Sequence, residues 1–137
     1  MAVPEDGKSF RLIGGKQAIH THTQTANSEP LMAITKQYGL ERVWMNAQRA
    51  EELGISDGDT VEVSNEQHTG KVQVKVTQRI NPDALYMPSH YGCSSKEEKT
   101  AYGVGLRQMD YVPFRIEPGY GGICSQEAVV TVKKVGA

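Results

Sequence analysis

Residues Asn46 to Ser64 read Asn-Ala-Gln-Arg-Ala-Glu-Glu-Leu-Gly-Ile-Ser-Asp-Gly-Asp-Thr-Val-Glu-Val-Ser, and this stretch decides the fold. Its first half has apolar residues at helical spacing, at Ala47, Ala50 and Leu53. Gly54 stands where a left-handed glycine commonly ends a helix. We therefore predict a helix that ends at Leu53.

A tight turn and a strand follow this helix. Ser56-Asp57-Gly58-Asp59 is typical of a turn, because Gly58 can take a positive φ and aspartate side chains accept hydrogen bonds from nearby backbone N–H groups. An acid pair of Asp57 and Asp59 is the alternative, but their place in a glycine turn favours a structural role. The alternation Thr-Val-Glu-Val then predicts a strand over residues 59–64.

Five further segments have the composition of strands. Lys71 to Thr77 alternates most regularly, so one of its faces is expected to be buried. The other four are residues 10–13, 42–45, 84–87 and 126–135. A second short helix is predicted from Leu31 to Tyr38, with Asn27 or Ser28 as its N-cap and Gly39 at its end. Six short strands with one or two short helices predict a mainly β protein that closes into a small barrel.

Length and charge exclude several classes of protein. The 137 residues suit one domain, expected to span residues 1–137 with residues 1–8 as a flexible lead-in. The net charge of −1 provides no basic field for nucleic acid. No apolar run reaches the roughly 18 residues of a membrane span, so direct membrane insertion is not expected, and the polar start predicts no signal peptide. Cys93 and Cys124 are too few for a disulfide framework.

Two polar loops are the candidate functional segments. The stretch His20 to Pro30 reads His-Thr-His-Thr-Gln-Thr-Ala-Asn-Ser-Glu-Pro and offers many hydrogen-bond donors. Residues 89–120 are irregular and rich in glycine. A long irregular segment inside a compact domain usually has a function or a partner.

The order of these features resembles a known family. A helix ending in Leu-Gly-Ile, then Asp-Gly-Asp and a Val-x-Val strand, resembles the C-terminal molybdopterin-dinucleotide-binding domain of the dimethyl-sulfoxide-reductase superfamily of molybdenum and tungsten oxidoreductases. The His/Thr-rich loop, Val43-Trp44-Met45-Asn46 and Gly103-Val104-Gly105 follow in the family's order, so the resemblance covers about residues 10 to 135. His-Thr-x-Thr and Ser89-His90-Tyr91-Gly92 are most similar to the thiosulfate and polysulfide reductase branch, with respiratory arsenate reductases as near relatives. Arg107, Gln108 and Asp110 depart from the pattern of many family members, which carry one or two Asn after the Gly-x-Gly.

The resemblance implies a fold, a cofactor and partners. The fold would be a six-stranded double-psi β-barrel, and the domain would bind the pterin and nucleotide parts of molybdopterin guanine dinucleotide without catalysing a reaction alone. The parent enzyme would hold molybdenum or tungsten and, elsewhere, an iron–sulfur cluster, so no catalytic residue and no metal ligand is assigned here. Its partners would be the rest of the catalytic subunit, an iron–sulfur electron-transfer subunit and a membrane anchor subunit. A soluble, periplasmic domain serving anaerobic respiration is expected.

The resemblance and the chemistry of the ligand together indicate the site residues. A pyrophosphate needs N–H and O–H donors, guanine needs an acceptor for its N–H groups, and close backbone approach needs glycine. The predicted cofactor-binding residues are His20, Thr21, His22, Thr23, Gln24, Thr25, Asn27, Asn46, Asp59, His90, Tyr91, Gly92, Gly103, Gly105 and Gln108.

Other functions have weaker signals. His20 and His22 with Cys93 or His90 could ligate zinc, but no second tight ligand pair accompanies them. Cys93 beside His90 is weak evidence for a thiol nucleophile. Gly103-x-Gly105 lacks the strand and helix of a Rossmann motif. A free-standing double-psi barrel that binds a protein or nucleotide partner remains the alternative, whereas a self-processing decarboxylase barrel needs a Gly-Ser pair that the sequence lacks.

Overall fold

All six predicted strands form. The structure, a computed structural model, describes residues 2–136. Its elements are β1 (Ser9–Gly15), α1 (Glu29–Tyr38), β2 (Val43–Asn46), α2 (Ala47–Glu52), β3 (Thr60–Ser64), β4 (Thr69–Thr77), β5 (Ala84–Pro88), a 3-10 turn (Gln108–Tyr111) and β6 (Ala128–Lys134). Neither helix within the described range is long and apolar enough to cross a membrane.

The strands close into a barrel in the order β1-β5-β2-β4-β3-β6. The pairs β1/β5 and β2/β4 are parallel, and the other four pairs are antiparallel. Exchanging β1 with β4, β2 with β5 and β3 with β6 leaves every pairing unchanged, so the two halves of the barrel are related by a pseudo-two-fold axis. This arrangement is the double-psi β-barrel, and the predicted fold is confirmed.

The barrel interior is filled by the apolar face of each strand. Along β4, Val72 and Val74 are buried while Lys71 and Gln73 face solvent, as the alternation predicts. Tyr111, from the 3-10 turn, also enters the core and donates its hydroxyl to the carbonyl of Val63 at 3.1 Å. Burial raises the pKa of Tyr111, so the phenol stays protonated.

The central helix ends one residue before the predicted position. α2 stops at Glu52, and Gly54 has φ 66°. The amide of Gly54 donates to the carbonyl of Glu51 at 3.0 Å, and that of Ile55 donates to Ala50 at 2.8 Å. These two bonds form a Schellman motif, in which Leu53 serves as the C-cap.

The turn after α2 is held by hydrogen bonds within the turn and by hydrogen bonds to β4. Asp59 accepts a hydrogen bond from the amide of Ser56 at 2.8 Å, as predicted. Asp57 instead accepts from the amide of Val76 in β4 at 2.8 Å. The reason is register: β3 begins at Thr60 opposite Gln73, so the amide of Val76 lies beyond the end of β3 and the carboxylate pairs with it.

Two predicted strand boundaries are wrong because contacts with residues far along the chain set them. The first strand, predicted to end at Ile13, continues through Gly14 and Gly15, which pair with Met87 and Pro88 of β5. The last strand begins at Ala128 rather than at Gln126, because the amide group of Gln126 bonds the backbone of Gly14 at 2.9 and 3.3 Å.

Three further boundary regions differ in detail. β4 begins at Thr69, two residues before the predicted start at Lys71. Ser28 is the N-cap of α1, without a side-chain bond, and Gly39 ends that helix with φ 59°. In the predicted lead-in, the Asp6 carboxylate accepts hydrogen bonds from the amides of Lys8 at 2.9 Å and Ser9 at 2.7 Å.

Candidate functional site

The two polar loops meet outside the barrel and form a cleft. We call residues 16–28 the first loop and residues 89–107 the second loop. The cleft has a volume of 370 Å³, and its lining residues are Thr23, Gln24, Ala26 and Asn27 from the first loop and His90, Tyr91, Cys93, Glu98, Ala101 and Arg107 from the second. Asn27 joins the two loops directly, because its side-chain oxygen accepts from the amides of Thr100 at 2.9 Å and Ala101 at 3.3 Å.

A buried polar network supports the floor of the cleft. His20 is 5% exposed, with Nδ1 3.2 Å from the hydroxyl of Thr25 and Nε2 2.8 Å from the hydroxyl of Thr35 in α1. The Thr35 hydroxyl also lies 3.3 Å from the hydroxyl of Tyr91. Because both ring nitrogens of His20 are already hydrogen-bonded, this histidine positions the loops.

The first loop is a series of turns that fold on themselves. The amide of Gln24 donates to the carbonyl of Thr21 at 3.2 Å, and that of Ser28 donates to Thr25 at 3.0 Å. The Thr25 hydroxyl accepts from the amide of Thr21 at 2.9 Å. These bonds use the backbone, so the side chains of Thr21, His22, Thr23 and Gln24 remain exposed to solvent.

His22 and His90 face each other across the two loops. Their rings are edge-to-face with centroids 5.5 Å apart, and Lys16 Nζ lies 3.4 Å from His22 Nε2. Both histidines have a left-handed backbone, with φ 52° and 81°. A non-glycine residue in this region is strained and is often found at functional sites.

One nitrogen of His90 is buried without a partner. His90 Nε2 has no hydrogen bond to any described residue. Burial lowers the pKa of His90, and the neighbouring His22, Lys16 and His20 lower it further, so the ring is neutral at pH 7. A buried polar atom without a partner costs about 1–3 kcal/mol, which a polar ligand in the cleft would recover.

Glycines fold the second loop tightly. Gly92 has φ 81°, and a Cβ there would overlap the backbone nitrogen of Arg107. Gly92 and Gly103 donate to the carbonyls of Val104 at 2.8 Å and Cys93 at 3.0 Å, so the two ends of the loop run side by side. This fold places Arg107 at the cleft, with its guanidinium 3.3 Å from the carbonyl of Gly92.

Most of the predicted site residues either line the cleft or shape its two loops. Those that line the cleft are Thr23, Gln24, Asn27, His90 and Tyr91. Those that shape the two loops are His20, Thr21, His22, Thr25, Gly92 and Gly105, the last packed closely on Tyr91. Gly103 has φ 69° and borders a separate depression.

The remaining predicted site residues bond other parts of the barrel. Asn46 caps α2 by accepting from the amide of Gln48 at 3.0 Å, and it donates to the carbonyl of Ile80 at 2.8 Å. Asp59 forms an ion pair with Lys134 at 2.7 Å, which together with its hydrogen bonds lowers the pKa of this carboxyl group. Gln108 is buried beside Gly14, where a Cβ would overlap its side chain.

Charged residues that sequence reasoning did not assign complete the site. Lys16 and Arg107 bring positive charge to the two loops, and Glu98 brings one carboxylate to the cleft wall. The only signal for Arg107 was its departure from the family's Asn. A cation and a carboxylate that line the same cleft suit an anionic ligand that also carries N–H groups.

The cysteine and histidine alternatives can be compared with the geometry. Among residues 2–136, no three His, Cys, Asp or Glu side chains are grouped closely enough to hold a metal ion. Cys93 and Cys124 are both free thiols, and the Cys93 sulfur lies 3.8 Å from the carbonyl of Ser95. His90 and Cys93 both line the cleft.

Two known proteins resemble this chain, one in sequence and one in fold. The thiosulfate reductase molybdopterin-containing subunit of Salmonella typhimurium is 27% identical over 111 residues, which are 81% of this chain and 14% of that protein. Acetylene hydratase from Pelobacter acetylenicus superposes with a TM-score of 0.73 at 12% identity, over 91% of this chain and 18% of that one. This chain therefore spans less than a fifth of either protein.

A family match covers both loops. The family described as "Molydopterin dinucleotide binding domain" matches residues 10–110. That range contains every residue that lines the cleft. The chain belongs to the molybdopterin dinucleotide-binding domain family.

Proposed function

We propose that the cleft between the two loops binds the pyrophosphate and guanine of molybdopterin guanine dinucleotide. The observation that carries this proposal is the buried, unpartnered Nε2 of His90 in a cleft that Arg107 also lines. A polar anionic group is the kind of ligand that satisfies such an atom. The family match supports a molybdopterin dinucleotide, and the guanine form is our proposal.

The two ends of the proposed ligand suit different walls of the cleft. Arg107 on the cleft wall supplies positive charge and N–H donors for the pyrophosphate oxygens, and Lys16, which lies beside His22 in the first loop, adds a second cation nearby. Glu98 supplies a carboxylate, and a carboxylate complements the two adjacent N–H groups on one edge of guanine. Asn27 holds these walls at a fixed separation by joining the loops.

The chain's own contribution to the reaction is to bind, orient and shield. When bound, the cofactor supplies a metal held by its dithiolenes for two-electron chemistry. The His20–Thr35–Tyr91 network holds the loops rigid, because each member is buried and hydrogen-bonded. Burial also raises the pKa of Tyr91, so its hydroxyl stays protonated within this network.

We extend the proposal to a thiosulfate- or polysulfide-reducing enzyme of anaerobic respiration. The support is the 27% identity to a thiosulfate reductase subunit and the His-Thr-x-Thr loop. The domain would then work in the periplasm, with the rest of a catalytic subunit, an iron–sulfur subunit that transfers electrons and a membrane anchor subunit. The metal would be molybdenum or tungsten, and any iron–sulfur cluster would lie elsewhere in the parent enzyme.

The test begins with the native source. An antibody against this sequence identifies the polypeptide that carries it, and the purified fraction is assayed for molybdenum, tungsten and acid-released GMP. We expect GMP and metal in a polypeptide several times longer, or in a complex with a larger subunit. A short polypeptide found alone, with neither GMP nor metal, would contradict the proposal and favour a free-standing barrel with another partner.

A further inference from the structure

A small hairpin projects between the cleft and the last barrel strand. It comprises residues 113–125, beyond the 10–110 range of the family match. Ile116 and Ile123 form an antiparallel bridge, and the amide of Glu117 donates to the carbonyl of Gly122 at 2.8 Å. The carboxylate of Glu117 accepts from the amides of Gly119 at 2.7 Å and Tyr120 at 2.6 Å, which closes the turn. These hydrogen bonds hold the hairpin in a defined conformation.

The hairpin exposes large apolar side chains. Phe114 is 87% exposed, Ile116 52%, Ile123 65% and Tyr120 fully exposed at 101%. Ile116 and Ile123 lie opposite each other and so share one face of the hairpin. Large exposed apolar side chains that cluster in this way are uncommon on a monomer and are typical of an interaction surface.

The charges of the hairpin favour a protein partner over a membrane. Arg115 forms an ion pair with Glu127 at 3.3 Å, and the Glu117 carboxylate is held by the turn amides. Residues 113–127 contain no lysine. Binding to a membrane surface normally needs several cations beside the apolar groups. Aromatic residues and few charges are instead typical of the centre of a protein interface.

We propose that this hairpin is a docking element that seats Phe114, Ile116, Tyr120 and Ile123 in an apolar groove on the remaining body of the enzyme. The identity of this partner rests on the proposed function. Its support is that the chain spans 14% of the thiosulfate reductase subunit and 18% of acetylene hydratase, so a barrel of this kind has a larger body beside it in those proteins.

The test uses a photo-crosslinking residue in the enzyme of the native host. Benzoylphenylalanine replaces Tyr120 in one strain and Lys133 in another, since Lys133 is an exposed, charged residue of β6. After irradiation, the crosslinked peptides are mapped by mass spectrometry. We expect crosslinks from position 120 to polypeptide outside residues 1–137, in several-fold higher yield than from position 133.

Three results would overturn the docking proposal: no crosslink from position 120, a crosslink only between two copies of this sequence, or a yield no higher than from position 133. GMP is measured in the same preparations. A preparation without GMP that still crosslinks would contradict the cofactor proposal and support docking. A preparation with GMP that does not crosslink would support the cofactor proposal and contradict docking.

A variant separates docking from folding. Replacing Phe114 and Tyr120 by serine removes apolar groups that contact no barrel core, so thermal unfolding of the barrel should stay unchanged. The same change should abolish the crosslink from a probe placed at Ile123. A retained crosslink would show that these aromatic residues do not make the contact.

Discussion

The barrel and the two loops are stabilised by different kinds of contact. In the barrel, residues such as Phe10, Val63 and Leu85 are fully buried, and the strands pair in continuous register. In the loops, polar side chains hold the backbone, two histidines are left-handed, and His90 Nε2 has no partner in the described chain. The difference teaches that the strands complete their own packing and pairing, whereas the loops leave a buried polar atom in a cleft where a ligand can reach it.

Truncating a barrel residue should have the largest effect on folding. Leu85→Ala leaves a cavity in the closed core and should lower the free energy of unfolding by about 3 kcal/mol. Leu85→Met, which conserves volume, should cost less than about 1.5 kcal/mol. Urea unfolding measures both. Equal losses from the two variants would mean that the core is not tightly packed at this strand.

Two glycines of the second loop form a matched pair. Gly92 and Gly103 both have a left-handed backbone, but only at Gly92 does a Cβ meet another atom, the backbone nitrogen of Arg107. Gly103→Ala should therefore cost about 1 kcal/mol of unfolding free energy from strain alone, and Gly92→Ala should cost more. Thermal unfolding distinguishes them. A larger loss at Gly103 would contradict the described packing of the loop.

Removing the Thr35 hydroxyl below the cleft should lower the free energy of unfolding more than removing a hydroxyl on the barrel surface. Thr35→Val removes the buried partner of His20 Nε2 and of the Tyr91 hydroxyl, which should cost about 1–2 kcal/mol. Thr131→Val removes an exposed hydroxyl bond to Ser64 and should cost less than about 0.5 kcal/mol. The comparison is made by urea unfolding. Similar values would mean that the network beneath the cleft contributes no more than a surface bond.

The smallest expected effect is a dependence of the free energy of unfolding on pH. The pKa of His90 is lowered from 6.5 in the folded chain, so the unfolded chain takes up a proton first as the pH falls below 6.5. The free energy of unfolding should therefore fall with decreasing pH, until folded His90 is protonated too. His90→Gln should flatten that part of the profile. A profile unchanged by the substitution would show that His90 has no such shift.

Much of the fold could be predicted from short patterns. The alternation in β4 and the Leu-Gly-Ile end of α2 depend on neighbouring residues, so the sequence alone carries them. The strand character of Gly14 and Gly15 could not be predicted, because it comes from pairing with β5, which lies some 70 residues further along.

The candidate site was harder to predict than the fold. The polar content of both loops indicated where the cleft lies, but not which atoms face it. His20 is buried and shared between two threonines, while Glu98, in a charged stretch that resembles a solvated loop, lines the wall. Such roles depend on how two distant loops pack, and no local pattern encodes that.

The measurement that tests the central claim most directly is the GMP content of loop variants. In the enzyme that carries this chain, His22 and Thr23 are both replaced by alanine, and His68→Ala serves as the control because His68 is exposed on the turn between β3 and β4. The account predicts that the double variant loses acid-released GMP per polypeptide, while its barrel unfolds at the same temperature and the control keeps its GMP. GMP content that is unchanged in the double variant would contradict the assignment of the cleft.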